Sequence, residues 1–280
     1  MSKWAFVIDI AKCEDCNNCF LACKDEHVGN SWPGYSLPQP INGHRWINIA
    51  RKERGQYPLI DVAYRPTPCM HCDQAPCIQQ AKDDEVYKRE DGIVMIDYRK
   101  AVGRRELVKA CPYGAIWWNE EANAPQKCSF CAHLLDHQGW EKPRCVQACP
   151  TGALRAVKID EGGLRQMIAT ENLEQLHPNY GTYPRVFYKN LYRFEKCFLG
   201  GSAAYVNQGV IDCAEGAEVT LYQGEKAVSA TLANRFGDFK FDGLPENSGD
   251  YRVEIKFRDC GSKVVEARLG ASLNLGTIML

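Results

Sequence analysis

Twelve of the fifteen cysteines in this 280-residue chain fall between residues 13 and 149, in four groups. The groups have the tight spacing of metal ligands rather than of a disulfide framework. The first is Cys13, Cys16, Cys19 and Cys23, the second Cys69, Cys72 and Cys77. The third is reduced to Cys111, followed by Pro112, and the fourth is Cys128, Cys131, Cys145 and Cys149, followed by Pro150. Disulfide scaffolds belong to small secreted domains. Here the first ten residues hold too short an apolar run for a signal-peptide core and no small-residue cleavage site, so a cytoplasmic location is expected. The groups are embedded in an internal repeat. Phe6-Val7-Ile8-Asp9 lines up with Val94-Met95-Ile96-Asp97, each a short apolar run expected as a strand, and Cys111-Pro-Tyr-Gly-Ala echoes Cys149-Pro-Thr-Gly-Ala. In the echoed segments proline fixes φ and glycine permits a turn at positive φ.

The x2-x2-x3 spacing of the first group is that of a bacterial ferredoxin run, although Lys24 stands where proline usually follows. In two-cluster ferredoxins the fourth cysteine of a run ligates the other cluster. Applied here, the rule assembles three complete [4Fe–4S] sites: Cys13, Cys16, Cys19 and Cys149; Cys128, Cys131, Cys145 and Cys23; Cys69, Cys72, Cys77 and Cys111. The repeat leaves a fourth set, at positions 81, 101, 104 and 107, which hold Ala, Ala, Arg and Leu. One whole site has been lost and the others are intact. Leu107 and the stem of Arg104 are expected to fill its place, because interiors are close-packed. A four-cysteine zinc site uses similar pairs, and clusters with a structural role alone are a further reading. Three clusters on twelve thiolates take the formal charge from −1 to about −7. Lys12, Lys24, Lys127 and Arg144 adjoin cysteines and can offset that charge; the alternative is that they are ordinary solvated residues.

The remaining sequence offers little substrate chemistry. Lys plus Arg is 34 and Asp plus Glu 35, so no basic excess attracts nucleic acid, and no run of 18 apolar residues encodes a membrane span. There is no P-loop, no GxGxxG and no nucleophile–base pair. Cys197, Cys213 and Cys260 lack ligand spacing and are expected as buried or inert thiols. His71 and His133, beside cysteines, are expected in surface or packing roles, with hydrogen bonding to the sites as the alternative. The Trp/Tyr/Pro-rich insertion 28–66 is expected to cover a partner or a cluster. The aromatic and basic stretch 184–196 is expected at an interface, with inter-domain packing as the alternative. After Gly200-Gly201-Ser202 the pattern changes to short alternating runs such as Ala217–Tyr222 and Tyr251–Phe257, separated by turn signals. The expected fold is α+β. A duplicated ferredoxin-like [4Fe–4S] domain spans residues 1–198, and a small antiparallel β-sandwich or barrel of the transthyretin/Cna-B-like kind spans 199–280.

The order of the four groups resembles that of the iron–sulfur (beta) subunits of the DMSO-reductase family of molybdenum enzymes. The group-three deletion narrows the resemblance, as do Trp32-Pro-Gly-Tyr35, Tyr64-Arg-Pro-Thr-Pro-Cys69-Met-His-Cys72, Arg89-Glu-Asp-Gly-Ile-Val94 and Tyr188-Lys-Asn-Leu-Tyr-Arg-Phe-Glu-Lys196. Within that family the chain looks like the small subunits of transhydroxylases. The resemblance implies a large catalytic partner holding molybdenum on two molybdopterin guanine dinucleotides. It implies hydroxyl transfer between polyhydroxylated benzenes, with this chain as the electron-transfer subunit carrying no catalytic residue of its own. A phenol hydroxylase of the resorcinol-hydroxylase kind, or a dehydroxylase, is the neighbouring alternative, and a freestanding polyferredoxin carrier a more distant one. Loss of the fourth cluster, which faces the membrane partner where one exists, implies no membrane-anchor subunit.

Overall fold

The computed structural model describes residues 1–137 and 139–280. They form two compact units, the first made of Met1–Ala50 and Tyr64–Leu191, the second of Arg51–Ala63 and Tyr192–Leu280. In chain order the elements begin with β1 (Lys3–Asp9), α1 (Asn18–His27), β2 (Ile47–Gln56), β3 (Leu59–Pro68), α2 (Pro76–Gln80), β4 (Val86–Lys88) and β5 (Val94–Ile96). There follow α3 (Glu106–Lys109), β6 (Trp117–Asn119), β7 (Ala124–Gln126), α4 (Ala132–His137), α5 (Arg144–Gln147), β8 (Leu154–Ile159), α6 (Glu161–Glu171), β9 (Glu174–Gln175) and β10 (Val186–Lys189). The rest is α7 (Tyr192–Glu195), β11 (Cys197–Asn207), β12 (Val210–Cys213), β13 (Glu218–Gln223), β14 (Lys226–Leu232), β15 (Asp238–Leu244), β16 (Gly249–Lys256), β17 (Ser262–Leu269) and β18 (Leu273–Met279).

In the first unit β1 is apolar on both faces, as a strand covered on both sides must be. It pairs antiparallel with β8 and parallel with β10, in a sheet of order β8-β1-β10-β9. Side chains alternate along it. Ala5 and Val7 join Leu164 of α6, Leu173 and Phe187 in one buried cluster, with Met167 and Ile168 of α6 packed against it. These α6 residues recur at helical spacing, and Asp160 caps the helix by accepting the Gly163 N–H at 2.8 Å. On the opposite face Phe6 lies 4.3 Å, centroid to centroid, from Phe130 between the cysteines of the fourth group. The sheet is therefore the floor on which that group rests.

The repeat is visible in the backbone. In the β1–β8 pair Ile8 faces Leu154, Val7 faces Arg155 and Phe6 faces Ala156. In the β4–β5 pair Ile96 faces Val86, Met95 faces Tyr87 and Val94 faces Lys88. With Phe6 set opposite Val94 and Cys149 opposite Ala81, these are the same three pairs. Left-handed residues recur with them: His71 (φ 45°) matches Phe130 (φ 60°), and Gly114 (φ 63°) matches Gly152 (φ 64°).

In the second unit β14-β13-β16-β17 form one antiparallel sheet, and β12-β11-β15 with β18 form the other. Inward residues of alternating strands build its core, including Val219, Leu221, Phe239, Phe241, Tyr251, Val253 and Ile255. The arrangement is not purely antiparallel, because β18 joins β11 in parallel. Nor do the compact units divide at residue 198. The second begins at Tyr192 and takes in Arg51–Ala63 from the insertion. The reason is a buried ion network. The Arg54 guanidinium makes two hydrogen bonds to Asp242, at 2.8 and 3.1 Å, reaches the Lys196 carbonyl at 3.1 Å, and bonds Asp61.

Two further expectations change. The 184–196 stretch is not a surface patch over its first half: Arg185, Phe187 and Tyr188 are buried in and beside β10, with the Tyr188 hydroxyl donating to the Pro66 carbonyl at 3.0 Å. Cys197 is buried in the second unit's core, but Cys213 and Cys260 are exposed, and all three are free thiols.

Candidate metal centres

Eight of the twelve cysteines line two cavities and the other four are neighbours nearer the surface, although among the described residues no group of three or more His, Cys, Asp or Glu is set to hold a single metal ion. Cys23, Cys128, Cys131 and Cys145 line one cavity. Cys69, Cys72, Cys77 and Cys111 line another. Cys13, Cys16, Cys19 and Cys149 are mutual electrostatic neighbours nearer the surface, with Cys16 exposed and Cys13 and Cys149 half-buried.

Helical spacing does the sorting. Cys19 and Cys23 lie four residues apart on α1, about 6 Å along its axis. Cys145 in α5 and Cys149 just past its end have the same separation. The two helices pack together with their cysteines crossed: Cys19 and Cys149 serve one set, Cys23 and Cys145 the next. The sets adjoin in sequence. Cys145 neighbours Cys19, and Cys128 neighbours Cys69.

Several of the thiols resist charging. Burial, then neighbouring thiolates, pushes Cys19, Cys72 and Cys131 up to about 12, and Cys77 and Cys128 to about 11. Cys23 and Cys145 are raised further still, for the same reasons. A cationic core between them would offset both penalties. Backbone amides already turn toward the sulfurs, the N–H of Ala115 to Cys111 Sγ and that of Phe130 to Cys128 Sγ, both at 3.4 Å.

The fourth set is filled. Ala101 and Leu107 are completely buried, and Arg104 turns its guanidinium onto Glu85 and Glu106. None of these lines either cavity.

The insertion covers the second set from within the chain. Buried Trp46 and His27 line its cavity, and Trp32 stacks on His133 at 4.2 Å. His133 Nε2 is 2.9 Å from Glu26, and His71 Nδ1 accepts the Val94 N–H at 3.1 Å. Both histidines are buried, so a surface role does not describe them. His27 is legible in the sequence, standing one helical turn beyond Cys23; Trp46 has no local signal.

The chain matches the family model of a 4Fe-4S dicluster domain over residues 60–159. It is 51% identical over 257 residues, 91% of either chain, to the pyrogallol hydroxytransferase small subunit of Pelobacter acidigallici. It is 31% identical over 218 residues to a putative dimethyl sulfoxide reductase iron-sulfur subunit of Halobacterium salinarum, covering 68% of this chain and 80% of that one. A tetrathionate reductase subunit of Salmonella typhimurium is 32% identical over 193 residues, 68% of this chain and 73% of its own. Crossed cysteine sets on a repeated strand–loop–helix frame, together with these likenesses, define an iron–sulfur electron-transfer subunit of ferredoxin type. Within that class the chain belongs to the family of the pyrogallol hydroxytransferase small subunit.

Proposed function

We propose that the chain holds three [4Fe–4S] clusters and serves as the electron-transfer subunit of a molybdenum transhydroxylase acting on polyhydroxylated benzenes. Cys13, Cys16, Cys19 and Cys149 hold the first cluster, Cys23, Cys128, Cys131 and Cys145 the second, and Cys69, Cys72, Cys77 and Cys111 the third. The observation that carries this reading is the crossing of α1 and α5, which divides four cysteines between two adjoining sets. Nothing in a zinc scaffold requires it. The clusters supply one-electron storage and relay when bound; the protein supplies the thiolates, the amide donors and the dry surroundings. A large partner carrying molybdenum on bis(molybdopterin guanine dinucleotide) supplies the substrate site. The 51% identity to a hydroxytransferase small subunit supports the transhydroxylase over other family chemistries. Among the described residues no helix is long and apolar enough to cross a membrane. The reading is completed by a cytoplasmic complex without a membrane-anchor subunit.

Metal analysis of the anaerobically purified complex tests this. About 12 iron and 12 sulfide per copy of this chain, with one molybdenum, is the expected result. Iron without molybdenum or a second chain would indicate a carrier, and zinc would replace the reading altogether. The missing site offers a constructive check. Installing A81C, A101C, R104C and L107C together recreates the full spacing around Cys111, and iron is expected to rise to about 16 per chain. Unchanged iron in a folded variant would show that the crossing rule does not extend to that half.

A further inference from the structure

Four basic residues adjoin the cysteines, and the structure separates them. Lys12 is exposed, Lys24 is half-buried with its ammonium on the Pro40 carbonyl at 2.6 Å, and Arg144 pairs with Asp25 and Glu26 at 2.9 and 3.1 Å. Lys127 is unlike them. It is 5% exposed, lines the third-site cavity, and directly precedes Cys128 of the second site. Its ammonium donates to the Val94 carbonyl and, at 3.0 Å, to the Cys128 carbonyl. Among the described residues no carboxylate stands within ion-pair distance of it. Lys88, also near the third site, has Asp73 at 2.8 Å.

A buried ammonium held only by carbonyls lacks a countercharge, which is costly in an apolar interior. The fold does not demand a cation there: the internal repeat puts Pro68, before Cys69, at the equivalent place. What surrounds Lys127 instead is sulfur. It shares the third-site cavity wall with Cys69, Cys72, Cys77 and Cys111, and its ammonium sits on the carbonyl of Cys128 in the second site. The geometry points to Lys127 as the fixed positive charge that makes the third and second clusters the preferred resting places for an electron in this chain. This rests on the three-cluster reading. Among the described residues no buried lysine adjoins the first site, and three of its thiols are partly or fully exposed. Reduction adds one negative charge to a cluster, and no bond is made or broken. A nearby cation stabilises the reduced form and raises the potential.

The test is a dye-mediated redox titration of the anaerobic complex, followed by electron paramagnetic resonance, on wild type, K127M and K127R. K12M, at an exposed lysine, is the control. In K127M one or two of the three titrating components are expected to move to lower potential. At a fixed poise their reduced-to-oxidised ratio falls at least tenfold, which is 59 mV for one electron. The remaining component and K12M stay in place, and K127R restores the wild-type values. Full iron content with no component moved, or with all three moved equally, overturns the inference. If K127M loses iron, K127R decides: cluster and potential both retained supports the charge role, while a cluster retained at altered potential overturns it. A wild-type complex lacking iron would instead sink the cluster reading itself.

Discussion

Replacing Cys145 by serine is expected to remove the second cluster as a unit, dropping iron from about 12 to about 8 per chain. Cys145 is buried with Cys23, Cys128 and Cys131 around it, and Cys19 of the first set lies alongside. Cys145 is 7% exposed, which leaves solvent poorly placed to take over as a ligand. A serine hydroxyl is harder and far less acidic than a thiol, so the softer iron–sulfur bond is not replaced. The functional loss is expected to exceed the loss in iron. The second set is the bridge between the other two, through Cys145 beside Cys19 and Cys128 beside Cys69. The first and third clusters should still assemble and titrate, but electrons entering at one should no longer equilibrate with the other. Rapid-freeze spectroscopy after one-electron reduction would record this. C16S, at an exposed thiol of the first set, should leave the second and third clusters intact. Retention of all 12 irons in C145S would remove Cys145 from the ligand set.

Arg54→Met is expected to destabilise the second unit by about 3 kcal/mol. The side chain is 1% exposed and is the shared partner of Asp61 and Asp242. Removing it leaves two carboxylates without their shared guanidinium, with Lys240 and Arg193 remaining as their partners among the described residues. Faster hydrogen exchange in β11 and β15, with iron content unchanged, is the readout. The same network predicts an acid limit. Burial alone would raise the Asp61 carboxyl, but hydrogen bonds from Arg54 and Lys240 outweigh it and bring the group to about 2 from the ordinary 3.8. Because the folded-state value is the lower one, Asp61 contributes fully above about pH 4. The contribution is lost as pH falls toward 2. Arg54→Met should lose part of that pH dependence, with Lys240 and Arg193 keeping the rest, and an unchanged acid profile would count against the network.

Cysteine spacing makes the first unit legible because ligand geometry is local. Cys19 and Cys23 one turn apart, and Cys145 and Cys149 likewise, can only face adjoining spaces. The repeat makes the vacancy at 81, 101, 104 and 107 legible as well, and even its filling by Leu107 follows from size. The strands of the second unit can be read from alternation at Val219, Leu221, Val253 and Ile255. Long-range partners cannot be read. Nothing near Arg54 announces Asp242, so from sequence the tip of the insertion falls to the wrong unit. Nothing before Cys128 announces that Lys127 is buried while Lys12 is solvated, since both read as Lys-Cys. The aromatic residues of 184–196 signal burial correctly, but composition does not say whether a buried face meets a partner or its own chain. The parallel pairing of β18 escapes because alternation fixes a strand's faces and not its direction.

The two-part second unit also has a consequence for biosynthesis. Its first piece ends at Ala63 and its second begins at Tyr192. A ribosome adding roughly 5–20 residues per second therefore leaves the hairpin tip waiting on the order of 10 s for its partner strands. All twelve candidate ligands are translated within that interval or before it. The nascent chain thus passes through a stage at which every cysteine of the first unit is available to the assembly machinery while Arg54 has not yet met Asp242. The order of the residues alone puts translation of the candidate ligands before closure of the second unit.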